Sequence, residues 1–91
     1  MNQPSLETIL EAVLLAAGEA LSMEQLQAVF SDEERPGVAE LERALAALES
    51  QLAGRGVSLQ RVASGYRLQV PESLSPWVSR LWEEKPSRYS R

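Results

Sequence analysis

The stretch from Val38 to Val70 most constrains what this chain can fold into, because a leucine-striped helix runs into a glycine stop and then into a short hairpin. Leu41, Leu45, Leu48 and Leu52 recur at steps of four, three and four, which at about 100° per residue stacks them on one face. Gly54 follows as a left-handed stop. Val57, Leu59 and Ala63, then Tyr66, Leu68 and Val70, alternate with polar residues on either side of Ser64 and Gly65. That is the pattern of a half-buried antiparallel pair joined by a two-residue turn. A turn centred there sets Arg61, which interrupts the apolar face, opposite Leu68.

Upstream, Leu6, Ile9, Leu10, Val13, Leu14 and Ala17 form one buried stripe of a first helix, with Ser5 as its cap and Gly18 as its end. Leu15 points away from that stripe. Ser22 and Gln25 have the spacing of a capping box, and Leu21 and Leu26 that of a hydrophobic staple, so a second helix starts there with Leu26, Val29 and Phe30 facing inward. Ser31 to Gly37 is an acidic connection that ends in a turn at Pro36 and Gly37. Downstream, Pro71 ends the second strand. Ser75 and Pro76 begin a fourth helix, proline being well tolerated at the first helical position. Trp77, Val78, Leu81 and Trp82 give that helix a wide apolar face, with Trp77 expected in the core. Lys85 to Arg91 lacks an apolar period. Three helices, a hairpin wing and a closing helix make an α+β winged helix-turn-helix, with a domain at 1–84 and a linker or tail at 85–91.

With 91 residues and 44% hydrophobic content, there is room for one modest core, since chains of this size bury only about 60 to 65% of the surface exposed when unfolded. No apolar run approaches the roughly 20 residues needed to cross a bilayer, and the start lacks a secretory signal, so a cytoplasmic protein is expected. The chain has neither cysteine nor histidine. That removes disulfides, thiolate metal sites and the commonest general base. Asp32, Glu33 and Glu34 are adjacent carboxylates in a loop with no second cluster to complete a metal cage. Gly54 and Gly56 flank Arg55 without the pattern of a phosphate cradle. No enzyme activity and no cofactor are expected.

The net charge of −4 is unevenly spread. Residues 1–54 hold ten acidic side chains and two arginines, whereas the remainder holds seven basic side chains and three acidic ones. With the leucine stripe buried, the third helix turns Ala39, Arg43, Ala46, Ala47 and Ser50 outward, flanked by Glu40, Glu42 and Glu49. Winged helices that read DNA lay this helix in the major groove and neutralise several phosphates with Lys and Arg. Only Arg43 meets that need. Arg61, Arg67, Arg80 and Arg88 offer scattered backbone contacts, so a DNA-binding transcriptional regulator is the alternative rather than the main reading. Leu15 and the span from Trp77 to Trp82 point instead to protein interaction, tryptophan being a common interface anchor.

Three segments carry a family resemblance: LEAVLLAAGEALSMEQL ending at Leu26, RGVSLQRVASGYRLQV from Arg55, and PWVSRLWEEKPSRYSR from Pro76. In this order and spacing they resemble the N-terminal part of bacterial segregation and condensation protein B, over Leu6 to Arg91. The resemblance implies two consecutive winged-helix domains, joined near a segment similar to Lys85 to Arg91, with only the first present here. It implies a non-catalytic, kleisin-associated subunit of the SMC condensin, acting in chromosome condensation and segregation during cell division, cytoplasmic and nucleoid-associated. It further implies that the N-terminal domain pairs two subunits and that the second domain supplies much of the kleisin-binding surface. Where relatives place an aromatic near the middle of the first helix, this chain has Leu15. Leu15 and Trp82 are the candidate dimer-interface residues.

Overall fold

The computed structural model describes residues 3–83. Local signals set the start of the first two helices. The Ser5 hydroxyl accepts the Thr8 amide at 3.1 Å and opens α1 (Leu6–Ala17), which Gly18 closes in the left-handed region at φ 67°. In α2 (Met23–Ala28), Ser22 accepts the Gln25 amide at 3.1 Å while the Gln25 side chain accepts the Ser22 amide at 2.8 Å. Two otherwise orphaned donors are thereby satisfied. The loop after α2 is tied at both ends. Arg35 donates to the Phe30 carbonyl at 3.4 Å, and Gln27 donates to the Pro36 carbonyl at 3.1 Å.

Helix α3 (Val38–Gln51) crosses the middle of the domain. It packs against α1, α2 and the first strand. Leu41, Leu45, Leu48 and Leu52 are buried as their spacing predicts, and Ala44 joins them between the leucines. With Leu10 and Leu14 of α1, Leu26, Phe30 and Leu59, they form one core. Gly54 stands at φ 79° beyond the helix.

The wing is an antiparallel pair, β1 (Ser58–Val62) and β2 (Gly65–Gln69). Its turn is Ala63 and Ser64, one residue earlier than the alternation suggests, because Val62 pairs with Gly65. Leu59 therefore faces Leu68, and Arg61 faces Tyr66 rather than Leu68. The apolar face survives because moving the turn by one residue displaces the pairing by two, and side chains repeat every two residues. A contact invisible to local patterning fixes the choice. Leu21 and Tyr66 exchange two backbone hydrogen bonds of 2.8 Å, so Leu21 occupies the other edge of β2. Gly65 lies directly beneath Leu21 at φ 139°, where a Cβ would overlap the Leu21 carbonyl.

Three further expectations need correction. Val29 is 50% exposed rather than inward, because α2 ends at Ala28 and Val29 closes it as the cap. Ser75 does not cap α4 (Ser75–Leu81). A 3-10 turn over Glu72–Leu74 feeds directly into the helix, and Ser75 is its first residue. Trp77 is 64% exposed instead of lying in the core, since α4 packs chiefly on that short turn. The segment from Lys85 to Arg91 lies outside the described residues. No helix among the described residues is long and apolar enough to cross a membrane.

Candidate interaction surfaces

Two features stand out once the core is assigned, a set of exposed apolar side chains and a groove. The first is apolar. Leu15 projects from the outer side of α1 at 71% exposure, and Trp82, just past the end of α4, at 76%. Leu81 is equally open, and Val70, before the 3-10 turn, is 44% exposed. Leu81 belongs to the wide apolar face of the fourth helix read from the sequence. Its partner on the helix is Trp77, one turn earlier, so the two share an outward side while Val78 is half-buried. The 4-residue spacing announced a face, but not that the face looks away from the domain.

The second surface is a groove between α3 and the wing, with a volume of about 310 Å³. Leu45, Ala46, Leu59 and Tyr66 line it, and Glu42 and Glu49 stand on its helical side. Across from them the Arg61 guanidinium lies 5.6 Å from the centre of the Tyr66 ring, within the range of a cation–π contact. Sequence patterning gives no hint of this groove, because it depends on how α3 packs against β1.

The outward side of α3 presents Arg43 among exposed Glu40, Glu42 and Glu49. In the wing, Arg67 is half-buried and Arg61 is engaged with Tyr66. This is a poor array for phosphates. Asp32, Glu33 and Glu34 sit on an exposed loop, where Asp32 pairs with Arg35 at 3.3 Å and Glu34 accepts the Ser31 hydroxyl at 3.2 Å.

Comparison with known proteins places this architecture. The chain is 43% identical over 91 residues to the segregation and condensation protein B homolog of Coxiella burnetii, covering all of this chain and 44% of that protein. It is 40% identical over 93 residues to segregation and condensation protein B of Syntrophotalea carbinolica, covering all of this chain and 45% of that protein. It thus spans less than half the length of these curated relatives. A crystal structure of a dimer of the ScpB N-terminal domain complexed with ScpA peptide shares the fold at a TM-score of 0.76 and 24% identity, covering 88% of this chain and 94% of that one. ScpB from Mycobacterium tuberculosis matches at a TM-score of 0.74 and 24% identity, covering 92% of this chain and 56% of that one. The family of segregation and condensation complex subunit ScpB matches residues 8–91, and the chain belongs to that family.

Proposed function

We propose that this domain is the dimerising, non-catalytic part of a chromosome-condensation subunit, working in the cytoplasm within an SMC-kleisin assembly and needing no cofactor. The observation that carries the reading is the large apolar side chains left exposed outside the core on α1 and at α4. Leu15, Trp77, Leu81 and Trp82 are each at least 64% exposed. Tryptophan buries about 150–250 Å² when covered. Two of them supply a large share of the roughly 800 Å² per partner that a standard interface hides.

Self-pairing through such a surface is isologous, the same patch meeting its copy, and Leu15 and Trp82 are the residues proposed at its centre. The relatives' role in segregation and condensation supports the setting, and the dimer with bound ScpA peptide seen for a fold neighbour supports both self-pairing and a kleisin partner. The acidic border of α3 argues against duplex DNA as the main ligand.

The test is solution mass by light scattering for Leu15→Asp and Trp82→Asp, with circular dichroism to check the fold. At least one substitution is expected to yield a folded monomer. A doubled mass in both variants removes these residues from the interface, and a wild-type chain that stays monomeric at millimolar concentration ends the reading.

A further inference from the structure

We infer that α4 is a conditional helix, frayed in a single protomer and fixed when two copies pair, so that helix formation and dimerisation are one linked step. This deepens the dimer reading above and rests on it. An isolated helix shorter than about 12–15 residues is marginal in water, and α4 has 7. Its composition adds little, since Ser75, Pro76, Trp77, Val78 and Ser79 are all weaker helix formers than alanine or leucine. No side chain caps its start, and the Ser79 hydroxyl donates back to the Pro76 carbonyl at 3.3 Å. At the other end the amides of Trp82 and Glu83 reach three residues back, to the Ser79 and Arg80 carbonyls at 3.1 and 3.3 Å. Bonds of that span have the poorer geometry of a 3-10 turn.

Packing within one protomer does not make up the difference. Helix α2 is shorter still, yet it has a capping box, seats Leu26 in the core and packs on α3. Helix α4 has no buried residue and meets chiefly the 3-10 turn before it. Its large apolar side chains face outward, with Trp77, Leu81 and Trp82 at 64%, 71% and 76% exposure. Trp77 and Leu81 stand side by side while the chain between them is helical, and separate when it frays. A second copy that covers both therefore binds the helical form in preference, and a ligand shifts a population by just that differential affinity. Two tryptophans and a leucine from each copy supply much of the area a standard dimer hides, which makes a second copy the occupant. Pairing strength then depends on α4 residues that touch neither the core nor the partner.

Ser79 provides the test, being exposed and about 160° around the helix from both Trp77 and Leu81. Glycine lowers a helix equilibrium about four- to fivefold relative to alanine. With one helix forming in each copy, the dimer dissociation constant is expected to be at least about tenfold weaker in Ser79→Gly than in Ser79→Ala, measured by sedimentation equilibrium on the intact chain. A helix already formed in the single protomer carries the same penalty in both states and leaves the two constants equal. Hydrogen–deuterium exchange of the wild-type chain, read by mass spectrometry, supplies the second measurement. When dilute, residues 75–83 are expected to exchange like unstructured chain while α3 stays protected, and protection of 75–83 is expected to appear as the chain pairs. Equal dissociation constants for the two variants, or α4 protection that does not change with concentration in a chain that does pair, overturns the linked step and leaves the dimer standing. A chain that stays monomeric at millimolar concentration ends both readings, so the two failures are told apart.

Discussion

Helices α3 and α4 are written with the same device, apolar residues three and four positions apart, and they end in opposite states. In α3 the stripe of Leu41, Leu45 and Leu48 is at most 2% exposed. In α4 no residue is buried, and Trp77 and Leu81 are 64% and 71% open. Both faces are equally legible as patterns. What differs is the neighbourhood: α1, α2 and the wing converge on α3, whereas α4 leaves the hairpin through Pro71 and a 3-10 turn and has little but that turn to pack on. Periodicity says that a helix has an apolar side, while tertiary neighbours decide whether the domain itself covers it.

The sharpest way to break this contrast is to truncate one leucine from each helix. Leu48→Ala, at a site with no exposure, is expected to cost about 2–5 kcal/mol. In a domain this small each kcal/mol lowers the melting temperature by about 4–8 °C, so Leu48→Ala removes most of the stability. Leu81→Ala in dilute solution is expected to fall within about 0.5 kcal/mol of wild type. Thermal unfolding followed by circular dichroism decides it, and equal losses would mean that α4 is buried in solution.

The next test sets two glycines against each other. Gly65 and Gly54 both have positive φ, at 139° and 79°, but a side chain at Gly54 meets open space whereas one at Gly65 runs into the Leu21 backbone. Gly54→Ala is expected to cost about 1–2 kcal/mol, the ordinary left-handed penalty. Gly65→Ala is expected to cost about 3 kcal/mol, since it adds the loss of the Leu21–Tyr66 pairing. Amide exchange at Leu21 and Tyr66 should rise in Gly65→Ala only. Similar losses in the two variants would show that the close approach of Leu21 is not what fixes the hairpin.

The same residues explain what was readable beforehand. The starts of α1 and α2 were legible because Ser5 and Ser22 act on amides three residues away, and such information is contained in the sequence itself. The face of the hairpin was legible for a similar reason. Its register was not, since alternation fits any two-residue displacement, and the choice depends on Leu21, more than forty positions upstream. Inward spacing reaches Val29 only if it is extended past the end of a six-residue helix. Burial of Trp77 requires neighbours that α4 does not have. The groove between α3 and the wing depends on the packing of α3 against β1, which no local pattern states.

The smallest expected effect is also the one that joins the two helices in a single argument. If α4 and Leu15 are covered by a second copy, the energy of covering them belongs to the pair and varies with protomer concentration. Wild-type melting temperature is then expected to climb as the chain is concentrated, by a few degrees for each kcal/mol of linked stabilisation. Leu81→Ser, which leaves the core untouched, should match wild type when dilute and fail to follow it upward. Leu48→Ala should start far lower and still climb, because its defect lies in the protomer and its outer face is intact. Parallel slopes for wild type and Leu81→Ser would place the self-contact elsewhere and leave the exposed side of α4 for a different protein.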